Sequence, residues 1–345
     1  MTSAASAPKL TVVVPTCGRT TLLRTLTSLE RQTLRPAIEV IVVGQLGDAR
    51  VTAALEDLCR RAPFIRHMAV SYSSGDSSRK KNDGVRAAHA EIVAFLDDDA
   101  YAPPAWAERI LEPFDQTEVV LVSGPSLVPL EARGFARLAG LALASRAAGY
   151  VSARYRAANA PPYPAIWSRV IGCNMAWRKT ALEAIGGFDP RFWPGEEMWA
   201  AWLAVGRDAR RMRFHPGAGV EHEPRAHLGA FWRQMAGYGA TRIRLLRAGT
   251  PLEWPTLMPA ALYLAVALWL LAWPWSGRWG WRAAAGAVLA YGFFCVWAAA
   301  EIVWRTRRWQ DAAVGGLIPV MHLAYGWGCW REIFAPNRDL GGRSA

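Results

Sequence analysis

Cysteine is scarce and badly placed for covalent or metal frameworks. The five residues, Cys17, Cys59, Cys173, Cys295 and Cys329, include no C-x-x-C pair and no metal-ligand spacing. A disulfide scaffold is excluded as an organising device, and a reducing compartment is the plain reading. The first ten residues, MTSAASAPKL, have neither the charged start nor the apolar stretch of a secretory signal, so the N-terminal part is expected to stay in the cytoplasm. Acidic residues are also in deficit, 28 against 40 lysines and arginines, for a net charge of +12. That balance suits an anionic partner. The arginines gather near apolar segments, and no recognition helix or stacking platform is present, so nucleic acid is not the expected partner.

Charge is missing altogether from Trp254 to Gly277, whose centre reads LMPAALYLAVALWLLAWPW. A bilayer needs roughly 20 apolar residues. A second uncharged run, 283–300, follows the short connection SGRWGWR, and a third, 312–330, is weakened by Pro319, His322 and four glycines. Eleven of the 18 tryptophans lie from Trp254 onward, as at a membrane interface. Two membrane spans are expected; the third run is left open between spanning, re-entering and lying on the surface. Arg305, Arg307 and Arg308 favour a cytoplasmic loop between the second and third runs.

Upstream the texture alternates. LTVVVPT (10–16), IEVIVVG (38–44), MAVSYS (68–73) and EIVAFL (91–96) read as strands, and 20–33, 54–62 and 80–90 as helices. This is an α/β pattern with a largely parallel sheet, in which ligands bind beyond the carboxyl ends of the strands. The Thr16–Gly18 loop, the Gly44–Asp48 loop and Asp97-Asp98-Asp99 all fall there. Three adjacent carboxylates can hold a divalent cation, which in turn neutralises phosphates. They can also cap the helix starting near Pro103, although a cap needs one acid. An apolar, arginine-dotted segment, 134–148, is divided between an ordinary surface helix and a membrane-touching one.

TVVVPTCGR, then DSSRKKNDGVRAAHAEIVAFLDDDA, then GCNMAWRKTALEAIGGFDPRFWPGEEMWAAWLAVGR closely resemble the family 2 glycosyltransferases with a GT-A fold. The resemblance spans roughly residues 9–225 in matching order. It implies an α/β, Rossmann-like nucleotide-diphospho-sugar transferase domain, a nucleotide-diphosphate-sugar donor, Mn²⁺ or Mg²⁺, and inversion at the anomeric carbon. It places Asp97 toward the donor's sugar side and Asp99 on the metal, joined by Asp97 and His222, with Asp98 shaping the turn at the donor. Glu197 of the PGEEMWAAW segment becomes the general base, with Glu196 beside it. Pro15, Thr16, Gly18, Arg19, Lys81 and Asn82 become donor-binding, and the GGFDP loop lines the acceptor side.

Two departures qualify this pattern. The family's acidic pair after the second strand is replaced by VVGQLGDAR, so Gln45 or Asp48 must read the nucleobase. The Gln-x-x-Arg-Trp motif of processive synthases is missing, so a single sugar transfer is expected. The layout expected is a GT-A domain (1–228), a basic amphipathic interface helix or linker (229–252), two to three membrane helices (253–335) and a polar tail (336–345). The acceptor implied is lipid-linked or membrane-associated, at the cytoplasmic membrane, with the catalytic domain on the cytoplasmic side. The alternatives are a nucleotide-binding protein of the same fold without transfer activity, or a nucleotidyltransferase.

Overall fold

The computed structural model describes residues 7–72 and 76–335; the polar tail at 336–345, the first six residues and Ser73 of the expected MAVSYS strand lie outside the described residues. Two compact units are present, Met1–Pro129 with Arg154–Glu223, and Leu130–Ala153 with Pro224–Ala345. The strands are β1 (Leu10–Thr16), β2 (Ile38–Gly44), β3 (Ile65–Met68), β4 (Ile92–Leu96), β5 (Ala100–Tyr101), β6 (Leu121–Ser123), β7 (Ser126–Leu127), β8 (Tyr163–Pro164), β9 (Asn174–Arg178), β10 (Met212–Phe214) and β11 (Val220–His222). The α-helices are α1 (Thr21–Glu30), α2 (Ala49–Arg61), α3 (Ser77–Ala87), α4 (Trp106–Leu111), α5 (Gly134–Ala144), α6 (Lys179–Ala184), α7 (Glu196–Val205), α8 (Leu228–Arg247), α9 (Met258–Thr306) and α10 (Val314–Ile333).

In the first unit, an eight-stranded sheet runs in the order β3-β2-β1-β4-β9-β6-β10-β8. Its first four strands are parallel, and β1 is buried along its whole length, as a strand covered on both faces must be. Helix α1 closes one face with Leu22, Thr25, Leu26 and Leu29, the three- and four-residue spacing of a single helical stripe. Beyond β4 the expectation of a largely parallel sheet needs correcting. Strand β9 lies antiparallel to both β4 and β6, and β8 is antiparallel to β10, so the sheet is mixed. A strand inserted from far downstream, at Asn174–Arg178, leaves no local trace in the periodicity. A small second sheet, β5-β11-β7, stands beside the carboxyl end of β4.

The second unit is helical. The first two apolar runs form α9, broken at Gly277, whose φ of 52° only glycine adopts without strain. The chain folds back there. A straight helix would part Trp269 and Trp281 by roughly 18 Å, yet their ring centroids lie 6.3 Å apart, and Trp269 Nε1 donates to the Gly280 carbonyl. The third run becomes α10, and the 254–306 and 309–333 segments are each long and apolar enough to cross a membrane. Large side chains such as Leu268, Leu271, Val288 and Phe293 are exposed along α9.

Helix α8, expected as an interface helix or linker, is packed into this unit. A Cβ added at Gly239 would fall 2.0 Å from the Tyr325 carbonyl oxygen, and one at Gly328 1.9 Å from that of Ala236, so α8 and α10 touch backbone to backbone. Two of its arginines are buried in ion pairs, Arg242 with Glu253 at 2.7 Å and Arg244 with Glu332 at 3.5 Å. Arg233 and Arg247 remain exposed. Arg137, on α5, forks both oxygens of buried Asp311.

Candidate active site

Because β1 and β4 are parallel neighbours, the loops at their carboxyl ends lie side by side. Asp98 is used to join them. Its Oδ2 accepts from Thr16 Oγ1 at 2.8 Å and from the Cys17 amide at 3.1 Å. The Arg19 guanidinium donates to Asp99 Oδ2 at 2.5 Å and reaches Asp98 Oδ1 at 3.4 Å. Lys80, fully buried, supports the same loop by donating to the Thr16 carbonyl at 2.8 Å. Burial raises the Asp98 carboxyl above its ordinary value, with Thr16 and Arg19 pulling the other way.

Asp99 turns its other oxygen to His222, whose Nε2 is 3.0 Å away; the second ring nitrogen meets Ser126 Oγ at 3.2 Å. Asp97 Oδ2 lies 4.0 Å from the same Nε2. Burial acts against a charge on His222, but neighbouring Cys173 and Asp99 hold its proton well above the usual range. Burial likewise raises the Asp97 carboxyl, countered by Lys81 and reinforced by Asp99. The third member of this group is Cys173: ligating atoms of Asp97, Cys173 and His222 all lie within 4.8 Å of one another. The antiparallel register that pairs Leu96 with Asn174 carries on to set Asp97 beside Cys173. An oxygen, a sulfur and a nitrogen converging at a strand end are a donor set that fits a divalent cation.

The acid pair opens α7. Glu196 is buried against Lys81 of α3, Oε1 to Nζ at 2.9 Å, and its Oε2 accepts from the Gly195 amide. Burial acts against both charges, yet each stabilises the other: the Lys81 ammonium is held above its ordinary range and the Glu196 carboxyl below its own. Glu197 gets no such partner. Burial and the Glu196 charge push its carboxyl up to about 7, with Lys81 and Arg154 opposing. Gly172, on the loop before β9, has its missing side chain directed here, since a Cβ would lie 3.4 Å from both Glu197 Cδ and Lys81 Nζ. Lys81 also acts electrostatically on Asp97, which ties the two acidic groups into one site.

Among the other residues singled out by sequence, Pro15, Thr16, Gly18 and Arg19 form the loop after β1, and Gly18 abuts the backbone of Gln45–Gly47. Gln45 is exposed there, and Asp48 caps α2 by accepting from the Arg50 amide at 2.7 Å. Asn82 is engaged elsewhere: its amide donates to and accepts from the main chain of Phe188, both at 2.8 Å, fixing the GGFDP loop. The sequence reading missed Cys173 and Ser126, and it named Lys80 only as part of the 79–82 segment near the nucleotide. Cys173 and Ser126 carry no local signal, because tertiary register recruits them.

Residues 11–186 match the sequence model of Glycosyl transferase family 2, half of the chain, and the protein belongs to that family of glycosyltransferases. A pre-mycofactocin glycosyltransferase from Mycobacterium tuberculosis is 28% identical over 238 residues, 67% of this chain and 46% of its own length. The chain thus spans about half the length of that relative. A validoxylamine A glucosyltransferase from Streptomyces hygroscopicus subsp. limoneus is 34% identical over 109 residues, 30% of this chain and 23% of its own. Among solved structures, a mannosyltransferase from Pyrobaculum calidifontis in complex with GDP-Man and Mn²⁺ superposes with a TM-score of 0.58 at 18% identity, covering 95% of this chain and 88% of the other. The likeness shows the shared GT-A fold.

Proposed function

We propose that the protein is a membrane-anchored, inverting, non-processive glycosyltransferase. It moves one sugar from a nucleotide-diphosphate-sugar to a lipid-linked or membrane-associated acceptor. The observation that carries this reading is Glu197: a half-buried carboxyl pushed up to about 7, next to an ion pair that already satisfies its neighbour. A general base works best with its proton affinity near the working pH.

Glu197 takes the acceptor hydroxyl's proton while that oxygen bonds to the anomeric carbon and the carbon–diphosphate bond breaks on the opposite face. Lys81 keeps Glu196 ionised, and the Glu196 charge raises the affinity of Glu197 for the incoming proton. The loop Pro15–Arg19, held by Asp98 and Lys80, receives the nucleotide, with Gln45 and Asp48 toward the base. Asp97, Asp99 and His222 would hold Mn²⁺ or Mg²⁺, which when bound neutralises the leaving diphosphate. Two long apolar helices, with exposed apolar faces along α9, support the membrane anchor, and the arginines at 305, 307 and 308 support a cytoplasmic active site at the cytoplasmic membrane.

The test uses the full chain purified in detergent, assayed with Mn²⁺ against a panel of nucleotide sugars. One donor should be bound and turned over, and Glu197→Gln should keep donor binding while losing turnover. Equal turnover by that variant, or a panel in which no donor binds, overturns the reading.

A further inference from the structure

Cys173 is 4% exposed, yet it does not pack as a small apolar filler. Its Sγ lies within 4.8 Å of a ring nitrogen of His222 and of a carboxylate oxygen of Asp97. The arrangement depends on three separate elements: the end of β4 brings Asp97, the start of β9 brings Cys173, and the end of β11 brings His222. Ser126 Oγ fixes the far ring nitrogen, leaving Nε2 turned toward the two aspartates. A neighbouring hydrogen bond of this kind is what orients a ligating imidazole. In a site whose purpose was to hold Mg²⁺ through oxygen atoms, a buried sulfur within 4.8 Å of the other donors is the wrong element.

We propose that Cys173 is itself a ligand, and that with Asp97 and His222 it turns this metal position toward ions that accept sulfur and nitrogen. Co²⁺ and Zn²⁺ then bind more tightly than Mn²⁺, and Mg²⁺ binds most weakly, following the usual ordering of divalent ions at mixed donors. The proposal deepens the reading of the site as a glycosyl-transfer centre and rests on it for the metal's purpose. The coordination chemistry stands on the geometry alone. The thiol gives up its proton to the buffer as the sulfur–metal bond forms, and no oxidant or reductant is involved.

The experiment titrates Co²⁺ into the full chain in detergent, without donor, and records the near-ultraviolet absorbance together with calorimetric affinity. A thiolate-to-cobalt charge-transfer band is expected in the wild type. Cys173→Ser should abolish the band and weaken Co²⁺ by more than the roughly 10–100-fold that loss of an outer-shell partner costs. Its Mg²⁺ affinity should hardly change. Cys59→Ser, on α2, serves as the control and should keep the band. Absence of the band in the wild type overturns the proposal, whatever the variants do. So does a folded Cys173→Ser with unchanged spectrum and affinity. Where the band is present but no nucleotide sugar is bound or turned over with any metal, the transferase reading falls and the ligand assignment remains.

Discussion

The end of β4 and the start of α7 set the same electrostatic problem and settle it differently. At β4, three consecutive acids are shared out among donors: Asp98 to Thr16 and Cys17, Asp99 to Arg19 and His222, Asp97 toward Cys173. At α7, one lysine serves two acids, and it bonds only Glu196. The remaining carboxyl, Glu197, is left half-buried and proton-hungry, at about 7. The first arrangement spends its charges on holding loops and ligands in place. The second leaves one group chemically unspent, which is what a base requires.

The largest expected effect comes from removing that group. Glu197→Gln should lower kcat by about 10²–10⁴-fold, the usual contribution of a positioned proton acceptor. In the wild type, the rate should fall about tenfold per pH unit once the pH drops below about 7, because the base is then protonated. A flat profile between pH 5 and pH 8, measured with the same donor, would erase the contrast between the two regions. Next is Lys81→Met, which leaves Glu196 as a buried carboxylate without its cation. It should cost about 3–5 kcal/mol of stability in denaturant titration of the GT-A unit. Any surviving activity should have its pH midpoint moved upward, since the opposing cation is gone.

Glu196→Gln sharpens the comparison from the other side. Its charge is among the causes that raise Glu197, so the midpoint should move downward, opposite to Lys81→Met. Shifts of the same sign in both variants would show that the pair does not act as described. The smallest effect belongs to the β4 side. Thr16→Val removes one donor to Asp98 and one acceptor for the Gly18 amide, and should cost about 1–3 kcal/mol in thermal or denaturant unfolding while leaving the pH midpoint in place.

Local patterns made a large part of this legible. β1, α1, β2 and β4 announce themselves through apolar runs and helical spacing, and the acids at 97–99 and 196–197 were visible as such. Roles within each acid cluster were not. Lys81 was expected at the donor, but its partner is 115 residues away in sequence, and only the packed α3–α7 contact reveals it. Asn82 was assigned to the donor for the same reason, yet its amide holds the main chain of Phe188. Cys173 was set aside because its neighbours in sequence include no second ligand. The insertion of β9 between β4 and β6 sets Cys173 beside Asp97, and β11 brings His222 to the same place. Spacing rules see only ligands that share a segment.

That insertion also orders events in time. Asp99 and His222 are separated by 123 residues, so at about 5–20 residues per second a ribosome needs roughly 6–25 s between them. Through that interval the emerging chain carries the three acids of β4 without the imidazole, and for most of it without the neighbouring thiol. A half-made domain therefore carries these carboxylates before the thiol and imidazole that stand beside them in the finished fold.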